Sequence, residues 1–416
     1  MARGCSSPIW SIIARFSTSR LWSVIEMRWM RCLGYAAAQC CFCTLPIGLL
    51  CSGCGGKAGD QPASFNGPKI SIPVQSTATT APLQDDERRR ADELLSEADA
   101  FSKSGDLQAA IKRYGEVIAS VPDRSDAYAR RGDTLLATSA VNAALADYEE
   151  AIRISPDDAG LYLKRASIDL LGNKFDLALA DCNKAVRLEP KSAEAFLTRG
   201  NIHFQTGRID ACLADYDAAI RLSTNPAVAY NNRGAAYRQK GDLDKALADY
   251  TAALTHNAQF ADAYNNRGDV HARQGKLDEA VADFSEAIRI SPFELQAYEN
   301  RADVYFHQKK SEQAVANYTE IIQQTLKMAA VSSLDVRPGA KLARIYRKRS
   351  SALLSLERFD EALADADEAV SLNPEDADTY LLRSQIHLKK RQFSASDADR
   401  HRAAQVQLRQ LPGTAP

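Results

Sequence analysis

A fixed spacing of 34 residues runs through most of this chain. An aromatic residue occurs at six successive positions of this series, and an arginine follows each one three positions later. After 14 extra residues the series resumes with two more aromatic positions. Self-similarity at a period of roughly 20–50 residues indicates a chain that stacks small units instead of enlarging one core. The aromatic residues are Tyr128, Tyr162, Phe196, Tyr230, Tyr264, Tyr298, Tyr346 and Tyr380.

Each unit has the pattern of two helices. With Ala227 as position 1 of one unit, positions 4, 7, 8 and 11 share one face of a first helix, helix A. Gly241 ends that helix, because glycine is a poor residue for a helix interior. Positions 20, 24 and 27 form one face of a second helix, helix B, and small residues at positions 8 and 20 let the two helices approach closely. Proline recurs at position 32, where it stops helix B: Pro122, Pro156, Pro190, Pro292 and Pro374.

This pattern resembles the tetratricopeptide repeat (TPR), a helix–turn–helix unit of the same length, over roughly residues 91–410. The resemblance implies an all-α TPR solenoid, a right-handed superhelix whose A helices line a concave groove that usually holds a protein or peptide. We place eight repeats in residues 91–376 and a capping unit in residues 377–410, followed by a tail, residues 411–416. The 14 extra residues fall near residues 327–340, and we expect a loop there, either alone or after a lengthened helix B.

Position 7 differs from the commonest family pattern, which has an apolar residue there. Here position 7 is arginine and position 23 is aspartate. The charges are reversed in the first repeat, Glu97 and Arg113, as a real contact would allow, and Arg301 faces Asn317. We predict partly buried, forked ion pairs between helices A and B; the alternative is that solvated charges simply recur. The pairs are Arg131/Asp147, Arg165/Asp181, Arg199/Asp215, Arg233/Asp249, Arg267/Asp283 and Arg349/Asp365.

Charge and motif content argue against nucleic-acid binding and catalysis. The chain has 52 lysines and arginines, 53 aspartates and glutamates and a formal net charge of −1, so it has no basic excess for nucleic acid. Phosphate-binding, zinc-protease and nucleophile-elbow motifs are missing from the sequence. His203, His271 and His387 share position 11 but lie two or more repeats apart, too far to hold one metal ion. We therefore expect no enzyme activity, cofactor, metal or small-molecule substrate.

Asparagine recurs at helix A positions that line the groove in this family. Its amide can donate to and accept from a peptide backbone at once, and asparagine is a mediocre helix former. We predict that these amides, with Arg238 and Arg273, bind an extended protein or peptide; solvated polar side chains are the alternative. A clamp for a C-terminal carboxylate is not expected, because Leu197, Asp262 and Asn266 stand at its basic positions. The asparagines are Asn201, Asn231, Asn232, Asn265, Asn266 and Asn300.

Two other functions remain open from the sequence. The chain could be a non-catalytic regulatory or assembly subunit of an enzyme complex, or a structural spacer that uses its convex face. The eighth repeat also carries a basic end that could take an acidic segment or simply be solvated: Arg344, Arg347 and Lys348.

Residues 1–54 have the pattern of a signal or membrane-anchor segment. Five arginines and one acid in residues 1–31 precede a charge-free, mostly apolar run, residues 32–50. Residues 50–54 resemble a bacterial lipobox, with Ser52 and Gly53 in the small positions and Cys54 in the lipidated one, although Cys51 stands where leucine is usual. A translation start at Met27 would give a signal of ordinary length.

The N-terminal segment allows other interpretations. They are an uncleaved anchor, a mitochondrial transit peptide and a zinc site built from two Cys-x-x-Cys pairs. Residues 55–90 have the composition of a flexible linker. We therefore expect the repeats to be tethered to a membrane at the cell envelope through the N-terminal segment, with a cytoplasmic or mitochondrial location as the alternative.

Overall fold

The computed structural model describes residues 85–331 and 339–410. Over these two ranges the chain forms 18 α-helices and no strand, which confirms the all-α prediction. None of these helices is both long and apolar enough to cross a bilayer. The chain divides into two compact units, Met1–Asp157 and Asp158–Pro416.

The described part of the first unit holds repeats 1 and 2. Helix α1 begins at Asp85, six residues earlier than the boundary at 90/91 that we expected for the linker. Acidic residues open this helix, and negative charge in a first turn stabilises the positive end of the helix dipole. Residues 85–90 are therefore helical and do not belong to the linker. The helices are α1 (Asp85–Ser104), α2 (Leu107–Ser120), α3 (Ser125–Ala137) and α4 (Val141–Ile154).

The described part of the second unit holds repeats 3 to 9, each an antiparallel pair of helices A and B. The helices of repeats 3 to 6 are α5 (Ala159–Leu171), α6 (Phe175–Leu188), α7 (Ala193–Gln205), α8 (Ile209–Leu222), α9 (Ala227–Lys240), α10 (Leu243–His256), α11 (Ala261–Arg273) and α12 (Leu277–Ile290). Those of repeats 7 to 9 are α13 (Leu295–His307), α14 (Ser311–Val331), α15 (Ala340–Ser355), α16 (Phe359–Leu372), α17 (Ala377–Lys389) and α18 (Phe393–Gln410).

Each repeat turns from helix A to helix B at position 15, where the backbone is left-handed. Glycine supplies this conformation at four repeats, for example Gly241 with φ 92°. The other five repeats hold a non-glycine residue in the same region, with φ between 57° and 64°. The turn therefore depends on the packing of the two helices as well as on the residue at its centre.

Positions 8 and 24 pack directly against each other in the core of a repeat. In repeat 4 a Cβ added to Gly200 would lie 2.7 Å from the ring of Tyr216, and Gly234 meets Tyr250 in the same way in repeat 5. Repeat 3 has the smaller pair Ala166 and Cys182. Cys182 is a buried free thiol, as is Cys212.

The extra residues of repeat 7 lengthen its second helix. Helix α14 continues for 21 residues to Val331, so residues 327–331 are helical and not a loop. Residues 332–338, which carry the rest of the expected loop, lie outside the described ranges. Helix α15 then begins at Ala340, three residues before the expected start of repeat 8.

The last unit is built like the repeats before it. Helix α18 buries Ser396, Asp399, Ala403 and Val406 against the rest of the unit. The carboxylate of Asp399 accepts two hydrogen bonds from Arg383. This pair between positions 7 and 23 was not identified from the sequence, and it makes residues 377–410 a complete ninth repeat.

Candidate protein-binding face

The A helices of the second unit form its inner layer. Helices α5, α7, α9 and α11 each contact the next A helix, and α15 contacts α17, whereas successive B helices lie farther apart. A stack that is closer on one side curves toward that side. The A helices therefore lie on the concave side, and positions 2, 5, 6, 9, 12 and 13 form what we call the inner face.

The arginines at position 7 form forks with the aspartates at position 23. In all six predicted pairs Nε and Nη2 donate to the two carboxylate oxygens, at 2.6–2.9 Å. In repeat 5 the two hydrogen bonds and the attached charge raise the pKa of Arg233. The forks between helices A and B that the sequence predicted are therefore present.

The two members of a fork differ in burial, so each pair is partly buried. The Asp249 side chain is 7% exposed, whereas that of Arg233 is 20% exposed. An aspartate is short and stays between the helices, while the longer arginine reaches it from the rim and leaves part of its guanidinium in water. These carboxylates belong to the core of their repeats and offer no surface to a partner. The buried aspartates are Asp147, Asp181, Asp215, Asp249, Asp283 and Asp365.

Two repeats depart from this fork. Arg113 makes a single 3.3 Å contact with Glu97, and both side chains are largely exposed. Arg301 donates twice to the amide oxygen of Asn317, at 3.0 and 2.8 Å. With no carboxylate opposite it, burial lowers the pKa of Arg301.

The third nitrogen of these arginines reaches back to the preceding repeat. Nη1 of Arg199 donates to Asn183 at 3.0 Å, and Nη1 of Arg383 donates to Asp367 at 2.8 Å. The guanidinium also lies over the position-4 ring of its own helix, at 5.3 Å for Arg233 over Tyr230. Each such arginine ties three helices together. The sequence did carry a signal, since position 25 holds a hydrogen-bond acceptor in every repeat involved: Asn183, Asp217, Thr251, Ser285, Thr319 and Asp367.

The asparagines of the inner face bind one another between repeats. Asn266 donates to Asn231 at 3.0 Å, Asn231 to Asn232 at 3.3 Å, and Asn232 to Asn201 at 2.9 Å. A second link joins Asn300 to Asn265 at 2.9 Å. Asn231 is only 8% exposed. Several of the amide donors and acceptors that we expected to bind a partner thus join neighbouring A helices instead. Binding of a partner by these residues stays a prediction.

The two groove arginines share one carboxylate. Asp269 accepts from Arg238 of repeat 5 at 2.8 Å and from Arg273 of its own helix at 2.9 Å. The Arg238–Asp269 pair is about one-third exposed or less on both sides, while Arg273 is 58% exposed. Arg238, Arg273 and Asp269 together carry a net charge of +1.

The basic end of repeat 8 is largely neutralised by acids of this chain. Buried Glu299 accepts from Lys348 at 2.7 Å and from Arg344 at 3.0 Å. Lys348 also donates to Asp303 at 2.6 Å. Arg347 lies 3.2 Å from Asp376. These residues stabilise the junction between repeats and are less available to an acidic partner than the sequence suggested.

Three acids at the helix A side have raised pKa values because protein atoms surround them. Burial raises the pKa of Glu194 and of Asp262, and burial together with the charge of Asp262 raises that of Glu294. Asp262 is nevertheless exposed to solvent.

The position-11 histidines each lie beside the aspartate of their own repeat. Nε2 of His203 is 3.8 Å from Asp215, and Nε2 of His271 is 3.7 Å from Asp283. Burial lowers the pKa of both imidazoles. No group of residues in the described ranges could hold a metal ion. The predicted lipidation residue Cys54 lies outside these ranges.

A family model described as tetratricopeptide repeat matches residues 95–159, 163–226, 231–295 and 347–396, which together make up more than half of the chain. The chain belongs to the tetratricopeptide repeat family. Members of this family are typically non-catalytic modules that bind proteins or peptides. A comparison with curated proteins finds no matching relative.

Several solved structures are similar to this TPR protein at low identity. MamA is 23% identical, with a TM-score of 0.37, over 40% of this chain and 96% of its own. YrrB, titled a TPR protein with an unusual peptide-binding site, is 22% identical, with a TM-score of 0.37, over 47% and 97%. PilF of Pseudomonas aeruginosa is 16% identical, with a TM-score of 0.46, over 56% and 97%. Likenesses of this size say nothing about the partner.

Proposed function

We propose that this TPR protein is a non-enzymatic scaffold that binds an extended protein or peptide segment on the inner face of repeats 4 to 7. The observation that carries the proposal is a set of polar groups left without a partner among the described residues of this face. They are the Gln239 side chain, the Nδ2 donor of Asn265 and the carboxylate of Asp262. They stand between internal hydrogen bonds that hold their helices in place.

This arrangement suits recognition of a main chain. An amide or carboxylate on a rigid helix can pair with backbone N–H and C=O groups without any ordering of a loop, and a preorganised site loses less entropy on binding. No catalytic motif was found in the sequence, and no reaction is assigned to this face.

Groove binding is tested with peptides selected from a random dodecapeptide phage library on the full-length chain. We expect the double variant Gln239→Ala, Asn265→Ala to bind a selected, fluorescein-labelled peptide about tenfold more weakly, since two hydrogen bonds are lost. Fluorescence anisotropy measures the affinity. Gln239→Ala alone should leave the melting temperature nearly unchanged, whereas Asn265→Ala also removes the hydrogen bond from Asn300 and should lower it by about 2 °C, so each single variant is measured beside the double variant.

The matched control carries two substitutions on exposed positions of B helices, Thr255→Ala and Glu279→Ala. This variant should bind the peptide as the wild type does. A selection that yields no peptide would contradict the proposal, and so would a peptide lost only in the control variant. The latter result would favour the alternative of a spacer or regulatory subunit that uses its convex face.

We also propose that the protein is tethered at the cell envelope by a lipid on Cys54. The support for this is the lipobox-like sequence of residues 50–54. The expected result is an N-terminal, lipid-modified Cys54 in the intact mass of the protein from its native membrane fraction. Cys54→Ala should lose the lipid, whereas Cys51→Ala should keep it. An unprocessed N-terminus would contradict the tether.

A further inference from the structure

Position 9 and position 24 are paired in this chain. In four of the five repeats with tyrosine at position 24 of helix B, its hydroxyl donates to an acceptor at position 9 of helix A in the same repeat. The bond measures 2.6 Å in repeats 1 and 2 and 2.9 Å in repeat 4. The four pairs are Tyr114/Asp99, Tyr148/Asp133, Tyr216/Asn201 and Tyr318/Asp303.

The position-9 acceptor also binds the next repeat. It takes a second hydrogen bond from position 6 of the following helix A, which comes from Asn232 for Asn201 and from Lys348 for Asp303. Arg130 donates to Asp99 in the same way. Position 9 is therefore an acceptor on the inner face that joins three helices.

Repeat 5 has the tyrosine but not the acceptor. Tyr250 is fully buried, and its hydroxyl has no hydrogen-bond partner among the described residues. Position 9 is Ala235. Asn266, the position-6 donor of the next repeat, turns to Asn231 instead. A buried hydroxyl without a partner is unfavourable, so repeat 5 is incomplete in a way that the other four tyrosine repeats are not.

The charges beside this hydroxyl favour an anion. Arg238 follows Ala235 by one turn of α9 and acts on the Tyr250 phenol, as do Asp269, Arg273 and Asp249. The carboxylate of Asp249 is paired with Arg233. Burial raises the pKa of Tyr250 to about 12, so the hydroxyl keeps its proton and can donate. Arg238 and Arg273 share the single carboxylate of Asp269. A second carboxylate would find both an unused donor and an excess positive charge.

We propose that position 9 of repeat 5 is a subsite for an aspartate or glutamate side chain of the bound partner. The partner's carboxylate would accept from Tyr250 and face Arg238, as Asp99, Asp133 and Asp303 accept from the tyrosines of their own repeats. This subsite lies on the inner face and rests on the proposed function. It assigns a chemical character to the partner segment, which must present an acid opposite Ala235.

The first test supplies the acceptor within the chain. Ala235→Asp should raise the melting temperature by about 2 °C, because the new carboxylate pairs with Tyr250. The gain should disappear when Tyr250→Phe removes the hydroxyl. Ser351→Asp is the matched control, since it places an acid at position 9 of repeat 8, where position 24 is Ala366. The pairing of positions 9 and 24 would be overturned if Ala235→Asp did not raise the melting temperature, or if the rise persisted in the presence of Tyr250→Phe.

The second test asks whether the bound peptides must carry an acidic side chain. Dodecapeptides displayed at the N-terminus of a phage coat protein expose side chains but no free C-terminal carboxylate. Selection on the wild type should enrich an acid at one position, and changing that acid to its amide should weaken binding about tenfold or more. The same change should have no effect on binding to Ala235→Asp, whose own carboxylate fills the subsite.

The outcomes separate this inference from the proposed function. Peptides that bind the inner face without needing an acid, or whose acid matters equally to Ala235→Asp, would overturn the subsite and leave groove binding standing. The subsite would also be overturned by a peptide whose affinity increases with a free C-terminal carboxylate but not with an acidic side chain. Failure to select any peptide overturns the proposed function itself.

Discussion

Arg233→Ala should lower the free energy of unfolding by about 3 kcal/mol, near the lower end of the loss expected when one partner of a buried ion pair is removed. The substitution leaves the buried carboxylate of Asp249 without its two donors. It also removes the contact with Asp217 of the preceding repeat. The Arg233 side chain is 20% exposed, so water offsets part of the loss. Urea unfolding followed by circular dichroism measures the change.

Arg289→Ala is the matched control for that experiment. Arg289 also pairs with an acid, Glu286, but both side chains are exposed and stand on the same helix. Its loss should cost less than about 0.5 kcal/mol. If Arg233→Ala and Arg289→Ala unfold at the same urea concentration, the fork is a surface feature and the recurrence of arginine at position 7 has another cause.

Lys348→Met should destabilise the junction of repeats 7 and 8 by about 2 kcal/mol. The ammonium group lies between the carboxylates of Glu299 and Asp303. Without it the two acids face each other, and among the described residues Glu299 keeps Arg344 as its one cation. Methionine retains most of the aliphatic stem, so the loss is mainly that of the charge. Thermal unfolding measures the effect.

Lys341→Met serves as the comparison, since Lys341 is an exposed residue on the same helix. It should melt within about 1 °C of the wild type. Native-state hydrogen exchange adds a local readout, because Lys348→Met should speed exchange in α13 and α15 before it affects α7. Uniform acceleration along the second unit would contradict a local role for this lysine.

The fold and the forks could be predicted because both depend on spacing within one repeat. Arg233 and Asp249 are 16 residues apart on two helices whose packing the TPR pattern defines, so their contact repeats with the period. The asparagines behave differently. Asn266 reaches Asn231, 35 residues away, and that contact depends on how one repeat sits on the next. A list of groove positions could not show that these amides bind one another.

The ends of helices were harder to place. Residues 327–331 lie well before the turn signal at Pro338 and Gly339. Their methionine and alanines are good helix formers, so α14 continues through them. At the other end, Asp85 opens a helix within the stretch that we assigned to the linker. The pair Pro338-Gly339 indicated a break before α15, which begins at Ala340, but it did not indicate that α14 continues to Val331.

The arginines that donate to three helices couple the unfolding of one repeat to that of its neighbour. When a repeat in the second unit opens, its arginine also releases the position-25 acceptor of the repeat before it, as Arg383 would release Asp367. In a nearest-neighbour description of the array, this contact contributes to the interface free energy and not to the intrinsic stability of a repeat. An array that joins intrinsically weak repeats through strong interfaces unfolds several adjacent repeats at a time. Partly unfolded forms of this protein should therefore lose several adjacent repeats together, and short fragments of it should be disproportionately unstable.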